Sequence, residues 1–389
     1  MALRLTASAA ALVLSAFSAN AAPITLNLLG STVVPDGTEF EGVEFGGISG
    51  LQMAEDGTFY ALSDDRGDAG RAPRFYTLDL DYDLGGFNGV TILSQTALTD
   101  TDGSPLPTDA PTVDPEAIRL APNGNLYISS EGNFSTDPDA LVQPFVREYT
   151  TDGEYVRDLA YPDVYRYVDN ATDGARDNKL FEAMAVDADG TIFVGNEEAL
   201  IPDGATSTAD EGSFVRIAEI DPILGEAVAQ YAYALPAIPL DGDAGAPGLV
   251  ELLAYGDGFL ALERSYASGV GNTVTITYSE ILDDSTNILD LAALDGEDVV
   301  PMSREVLLTI TDPFMGIDND NLEAMSFGHT LANGNLSLVL AADNNFNPRY
   351  QESLFIAFEI APAAPAVPLP AGLPLLLSAL GGIAVLRRR

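Results

Sequence analysis

Short apolar segments alternate with polar turns through the middle of the chain, and many turns contain an Asp-Gly or Asn-Gly pair. Residues 51–64 are an example, because the pair Asp56-Gly57 separates two apolar runs. Such a pair between apolar runs is the strongest short signal for a β-hairpin. Long runs of helix-forming residues are missing from this region. The pattern therefore predicts an all-β body.

The hairpins recur with a regular period. Five segments align on positions 49, 116, 182, 251 and 323, which lie 66 to 72 residues apart. Further strands are predicted at residues 74–79, 145–149, 214–220, 273–281 and 354–360, with fourth strands at residues 155–160 and 304–310. A period this regular indicates one supersecondary unit per repeat. Four antiparallel strands repeated around an axis form a β-propeller.

Five repeats predict five blades, and six blades are the alternative because 66 or more residues per blade is generous. The last repeat lacks a fourth strand, while residues 24–34 form an unpaired strand before the first repeat. Pairing these two segments would close the ring and remove its open edges. We therefore expect the propeller domain to span residues 22–360.

The composition limits the kinds of functional site that the protein can contain. The chain has 389 residues, of which 59 are acidic and 17 are Lys or Arg, and its net charge of −42 repels nucleic acid and anionic lipid. There is no Cys, and Lys179 and His329 are the only residues of their types, which excludes disulfides, thiolate metal sites and a multi-histidine zinc site. The groups that remain for a functional site are carboxylates, amides, hydroxyls and Arg. We expect a monomer that binds no nucleic acid.

The N-terminal segment predicts export. Residues 1–21 contain Arg4, an apolar stretch over residues 5–17 and the small-residue sequence Ala19-Asn20-Ala21. These are the three parts of a secretory signal peptide, with cleavage expected after Ala21.

The C-terminal segment predicts a membrane tail. Residues 367–371 read Val-Pro-Leu-Pro-Ala, an uncharged apolar run continues to Leu386, and three arginines end the chain. This resembles the VPLPA-type sorting signals of Gram-negative bacteria. The resemblance implies transient anchoring in the inner membrane, cleavage by an exosortase-like protease, and delivery to the cell surface or beyond. A permanent tail anchor is the alternative. Residues 361–366 would form a linker. The protein would contact the membrane only through this tail.

The acidic residues of the repeats are predicted to meet. Facing residues of an antiparallel hairpin keep a constant sum of positions, so a turn at Asn123-Gly124 sets Glu116 opposite Glu131. A turn at Asp189-Gly190 sets Glu182 opposite Glu197 in the same way. Five blades would bring these open hairpin ends to one mouth of the central channel. The expected ring is Asp64, Asp65, Glu116, Glu131, Glu182, Asn196, Glu197, Glu251, Glu263, Glu323, Asp343 and Asn344.

Carboxylates this close cannot all stay ionised without compensation. Either some hold protons or a cation lies among them. Ligands that are all oxygen favour Ca²⁺ over Mg²⁺ or Mn²⁺. The alternative is that the outward members are solvated and the inward ones accept hydrogen bonds at the hairpin ends.

Three segments carry a family resemblance: Gly47-Ile48-Ser49-Gly50-Leu51 with Ser63-Asp64-Asp65-Arg66, Asp114-Pro115-Glu116-Ala117-Ile118 with Ser130-Glu131-Gly132, and Asn321-Leu322-Glu323-Ala324-Met325. Over residues 40–360 the chain resembles the phytase-like, "esterase-like activity of phytase" family of bacterial exported proteins. This implies Ca²⁺-assisted hydrolysis of a small ester or phosphoester. The chain lacks a basic face for a polyanion, which argues against phytate unless calcium neutralises it.

The family resemblance leads to two sets of candidate site residues, one catalytic and one metal-binding. The catalytic candidates are Glu116, Glu182, Arg66 and Arg264. The metal-binding candidates are Asp64, Asp65, Glu131, Glu197, Glu251, Glu263, Glu323 and Asp343. Two other functions stay open, a gluconolactonase-like lactone hydrolase and a non-catalytic propeller that binds a cell surface or matrix.

Overall fold

The structure, a computed structural model, describes residues 24–363 except 68, 239–243, 268, 348 and 350, and of residues 244–247 it describes only the backbone. Residues 24–361 form one compact unit. The predicted signal peptide and the VPLPA-type tail lie outside the described residues. Within the described part of the chain, no helix is long and apolar enough to cross a membrane.

Five four-stranded antiparallel sheets form the blades of the propeller. Blade 1 contains β4 (Ile48–Met53), β5 (Phe59–Ser63), β6 (Arg74–Asp83) and β7 (Gly86–Ala97). Blade 2 contains β8 (Pro115–Leu120), β9 (Leu126–Ser130), β10 (Phe145–Tyr149) and β11 (Tyr155–Leu159). Blade 3 contains β12 (Phe181–Val186), β13 (Ile192–Asn196), β14 (Ser213–Asp221) and β15 (Glu226–Leu235). Blade 4 contains β16 (Ala244–Tyr255), β17 (Gly258–Ala267), β18 (Gly271–Ser279) and β19 (Glu305–Thr311).

Blade 5 closes the ring as predicted. It contains β20 (Leu322–Thr330), β21 (Leu336–Ala342), β22 (Ser353–Pro362) and, beside β22, the N-terminal strand β1 (Ile24–Val34). The five-bladed all-β propeller is therefore confirmed. The first strand of each blade is innermost, since β4, β8, β12, β16 and β20 contact one another in sequence around the ring. The remaining elements are a small hairpin of β2 (Glu39–Phe40) and β3 (Val43–Glu44), and the 3₁₀ turns η1 (Asp163–Tyr165) and η2 (Ile201–Asp203).

Apolar faces of adjacent blades pack together and form the core. Between blades 5 and 1, for instance, Phe59, Tyr76 and Phe355 are buried in one cluster. The closing strand contributes Ile24, which is buried against blades 4 and 5. Burial of these faces at roughly 25 cal/mol per Å² is the main force that holds the blades in a ring.

The hairpin registers differ from the predicted ones. In blade 2 the turn has three residues, because the Ala121 N–H donates to the carbonyl of Asn125 and the Gly124 N–H donates to the carbonyl of Ala121. Gly124 adopts a left-handed φ of 85°, as the last residue of such a turn requires. Blades 1 and 3 have the same turn. The predicted facing pairs Glu116–Glu131 and Glu182–Glu197 are therefore wrong by one residue.

A bulge in each innermost strand changes the register again. In blade 3, Phe181 pairs with Asn196 and Ala183 pairs with Gly195, so Glu182 is the extra residue. All five blades share the bulge, which falls at Ser49, Glu116 with Ala117, Glu182, Val250 and Glu323. A bulge re-aims the extra side chain. Here it sets where the acidic side chains lie.

Candidate functional site

A cavity of about 1090 Å³ opens where the hairpin ends of the five blades meet. It is strongly polar. The charged residues of its wall include Asp64, Arg66, Asp114, Glu116, Lys179, Glu182, Arg264, Glu323 and Asp343. Five residues of the predicted ring therefore line the cavity, namely Asp64, Glu116, Glu182, Glu323 and Asp343.

Two sets of equivalent positions build this cavity. The first is the bulge residue of each innermost strand. The second set lies near or just after the C-terminal end of the second strand of each blade and consists of Asp64, Glu131, Glu197, Arg264 and Asp343. Each backbone N–H of the four acidic members donates to a carbonyl just before the innermost strand. In blade 4, Arg264 pairs with Gly248 in the corresponding place. Arg264 thus replaces a carboxylate in an otherwise acidic set.

The alignment of the fourth repeat is wrong by one residue. Val250, not Glu251, occupies the bulge equivalent to Glu182, and Leu249 pairs with Glu263. Because successive side chains of a strand point to opposite faces, the shift turns Glu251 and Glu263 away from the set they were predicted to join.

Carboxylates come together in two groups that share one residue. We call Asp114, Glu116 and Glu131 the first carboxylate group, and Glu131, Glu182 and Glu197 the second. In each group, one oxygen per residue lies within 4.8 Å of the others. Glu131 is only 1% exposed; its Oε1 accepts the Leu180 N–H, but its Oε2 has no hydrogen-bond partner. A buried carboxylate oxygen that has no hydrogen-bond partner and lies among other carboxylates could bind a metal ion.

The acidity of these groups is strongly perturbed. Burial, together with repulsion from Glu197, raises the pKa of Glu131 to about 8. Burial and repulsion from Glu323 raise the pKa of Asp64 to about 7. The pKa values of Glu116 and Glu182 also lie well above the usual range, because burial and neighbouring carboxylates penalise the ionised form. Without a cation, several of these groups hold protons near neutral pH.

Three cations balance part of this charge. Arg66 lies 3.1 Å from Asp114, and Arg264 lies 2.9 Å from Glu323 and 3.1 Å from Glu197. Lys179 forms an ion pair with the other oxygen of Glu197. Burial would lower the pKa of Lys179, but the carboxylates of Glu197 and Glu182 raise it, so the ammonium stays charged. The Nε–H groups of Arg66 and Arg264 have no hydrogen-bond partner.

Five predicted metal ligands are not among the residues that line the cavity. Glu131 and Glu197 belong to the carboxylate groups, whereas Asp65, Glu251 and Glu263 pair with other residues. Asp65 is held by Arg71 and, at 3.0 Å, by Arg74. Glu251 pairs with Arg119 at 2.5 Å.

Glu263 accepts two hydrogen bonds of 2.6 Å from Arg304, and one from the Tyr233 hydroxyl. The two amides of the ring, Asn196 and Asn344, accept backbone N–H groups from Arg216 and Gly47. These five side chains, three carboxylates and two amides, have structural partners, although Oε2 of Glu251 has no hydrogen-bond partner.

Two residues of the site were not predicted. Asp114 precedes the innermost strand of blade 2, and Lys179 stands three residues before Glu182. Both had a signal in the sequence, since Asp114 begins one of the motifs that carry the family resemblance and Lys179 is the only lysine. Both residues lie before a strand rather than on it, so strand pairing could not predict their positions.

Comparison with known proteins identifies the family. Residues 43–346 match the family described as "Phytase-like: Esterase-like activity of phytase". The chain belongs to this family, as its motifs indicated. No curated protein matches the sequence.

Solved structures share the general architecture at low identity. The chain is similar to a GH43 β-xylosidase/α-arabinofuranosidase from a compost microbial metagenome, in a calcium-free form (13% identity, TM-score 0.45, 87% of this chain and 99% of that one). It is also similar to a gluconolactonase from Xanthomonas campestris (13%, 0.34, 87% and 96%). A third is a bifunctional GH43-CE protein of Bacteroides eggerthii (12%, 0.41, 80% and 33%), so the chain spans about a third of that protein's length. Similarities this weak carry no argument about activity.

Proposed function

We propose that this protein is an exported hydrolase of small esters or phosphoesters, and that it works with Ca²⁺ held by the carboxylates of the cavity. The observation that carries the proposal is Glu131, whose buried Oε2 lacks a partner although it belongs to both carboxylate groups. Family membership supports the reaction class.

The residues present fit a hard divalent cation. The first carboxylate group supplies only oxygen ligands from Asp114, Glu116 and Glu131, which Ca²⁺ prefers. Side chains within these groups are nine-tenths buried or more, so water compensates little of their charge. When bound, such an ion would polarise a substrate oxygen and lower the pKa of a bound water.

Other residues of the cavity would bind the substrate and supply a proton. Arg66 and Arg264 line the cavity, and their guanidinium groups would donate hydrogen bonds to the oxygens of an ester or phosphoester. Glu182 has no hydrogen bond from the described residues, and burial together with Glu197 and Glu323 raises its pKa. A carboxyl group with a raised pKa can donate a proton to the leaving-group oxygen near neutral pH. Glu116 would serve as an ion ligand rather than as an acid.

The cellular route is part of the proposal. The leader of residues 1–21 supports export, and the tail of residues 367–389 supports transient anchoring in the inner membrane of a Gram-negative bacterium. An exosortase-like protease would then release the propeller to the cell surface or the medium.

The test is p-nitrophenol release from p-nitrophenyl phosphate and p-nitrophenyl acetate, with Ca²⁺ and with excess chelator. We expect activity only with Ca²⁺, and a fall of at least about 100-fold in Glu131→Gln. Glu198→Gln is the matched control. Glu198 is also 1% exposed, but its oxygens accept the N–H groups of Ala199 and Ser207 at 2.7 and 3.0 Å.

Three results would overturn the proposal. Full activity in chelator would exclude the calcium role. Hydrolysis of a sugar lactone without activity on either p-nitrophenyl substrate would favour the lactonase. Polysaccharide binding without turnover of any of these compounds would favour a non-catalytic propeller.

A further inference from the structure

The two carboxylate groups share Glu131 but differ in the cations that the protein itself provides. In the second group, both oxygens of Glu197 are occupied, one by the Lys179 ammonium and the other by Arg264 at 3.1 Å. Glu197 is fully buried, so these two contacts replace its hydration. The second group thus carries three carboxylates and two contacting cations.

The first group is less compensated. Among the described residues, Arg66 is the only cation that contacts it; Arg66 lies 3.1 Å from Asp114 and keeps a third of its side chain exposed. Glu116 has no hydrogen bond from the described residues, and Glu131 Oε2 points to no donor. In this group the protein's own cation contacts only Oδ2 of Asp114, so a divalent cation would find the oxygens of Glu116 and Glu131 without a cation partner from the described part of the chain.

Lys179 is placed by its position in the repeat. It stands two residues before β12, and the corresponding residues of blades 1, 2 and 5 are Gly46, Val113 and Asp320. Blade 3 alone therefore supplies an ammonium here among those four. The adjacent Leu180 N–H donates to Oε1 of Glu131, which connects the Lys179 segment to the residue that both groups share.

We infer that Lys179 acts as the protein's own cation in the second carboxylate group, so that a single Ca²⁺ binds in the cavity, at Asp114, Glu116 and Glu131. This rests on the proposed calcium role. An ammonium in contact with Glu197 repels a second ion from Glu182 and Glu197 and takes up a carboxylate oxygen that the ion would need. Removal of its charge should open a second ion site.

The experiment counts bound Ca²⁺ on the full chain by equilibrium dialysis and isothermal titration calorimetry at moderate salt. Because the surface is acidic, each count is taken as the difference from the same protein carrying Glu131→Gln. We expect a difference of one ion for the wild type and two ions for Lys179→Met. Lys179→Arg, which keeps the charge, should stay at one.

Arg66→Met is the matched control in the first group. It also removes a cation from the cavity wall, but from the group in which the ion already binds. We expect its count to remain one, with binding tighter by at least about tenfold since a repelling charge is lost. Thermal unfolding of every variant checks that the propeller is intact.

The outcomes separate the two proposals. Two ions in the wild type, or one ion in a folded Lys179→Met, would overturn the role of Lys179 and leave the calcium role standing. If Glu131→Gln removes no ion from any protein, the calcium role fails as well. If Lys179→Met does not fold, a count of two in Lys179→Gln supports the inference and a count of one overturns it.

Discussion

The guanidinium of Arg119 lies 2.5 Å from the carboxylate of Glu251, where the innermost strands of the blades meet. Arg119 also donates to the carbonyls of Leu51, Met184 and Leu252, at 3.0, 2.7 and 2.8 Å. These carbonyls belong to blades 1, 3 and 4, while Arg119 itself belongs to blade 2. One side chain therefore joins the innermost strands of four blades.

Replacement of Arg119 by Met should destabilise the propeller strongly. Glu251 is fully buried, so loss of its partner leaves an uncompensated charge, and three carbonyls lose a donor. We expect the free energy of unfolding to fall by about 3–5 kcal/mol, measured by urea denaturation. The double variant Arg119→Met, Glu251→Met should recover much of the loss because the charge is gone. Equal stability of the single variant and the wild type would contradict the role assigned to this pair.

The calcium-free protein should lose stability as the pH rises. Burial raises the folded-state pKa of Glu131 to about 8 and that of Asp64 to about 7, well above the unfolded values. Between the unfolded and the folded pKa, the folded state keeps protons that the unfolded chain has released. The free energy of unfolding therefore decreases from about pH 4 to about pH 8.

Thermal unfolding in chelator at several pH values tests this dependence. The melting temperature should be higher near about pH 5 than near about pH 8. Added Ca²⁺ should stabilise the protein most at the higher pH, where the carboxylates bind it without losing protons. A calcium-free melting temperature that rises over this range would show that the cavity carboxylates are not buried as described.

Arg66 should matter more for charged than for uncharged substrates. Arg66 lines the cavity and keeps a third of its side chain exposed, and a hydrogen bond to a charged oxygen contributes about 1.5–3 kcal/mol. Arg66→Met is thus expected to raise the KM for p-nitrophenyl phosphate by roughly 10- to 100-fold, with a smaller effect on p-nitrophenyl acetate. Arg71→Met is the control, because Arg71 pairs with Asp65 and stacks on Phe346 outside the cavity wall. Equal KM changes in both variants would argue against substrate contact.

Glu263 should affect stability but not calcium. It was a candidate ligand in the sequence, yet its oxygens pair with Arg304 and Tyr233. Glu263→Gln should lower the melting temperature and leave the calcium affinity within about twofold of the wild type, whereas Glu131→Gln should lower the affinity by at least about 100-fold. Calorimetric titration of both variants makes the comparison. A large affinity loss in Glu263→Gln would return this residue to the site.

Local sequence signals were enough to predict the number of blades and the closure of the ring. Asp-Gly and Asn-Gly turns mark hairpins because glycine accepts the positive φ that these turns need, and the regular period repeats the unit five times. The unpaired strand Ile24–Val34 and the three-stranded last repeat could satisfy their edges only by pairing with each other. The gathering of acidic hairpin ends followed from the same repeat.

Which side chains share the cavity was decided only by the tertiary structure. Side chains on a strand alternate between faces, so the bulge at Val250, a shift of one residue, moved Glu251 and Glu263 out of the set and Arg264 into it. Lys179 and Asp114 joined from segments before the strands, where no pairing rule places a side chain. The sequence by itself therefore determined the propeller and its acidic mouth. Packing between blades determined which oxygens lie within 4.8 Å of one another, because residues from different repeats meet only when the ring is closed.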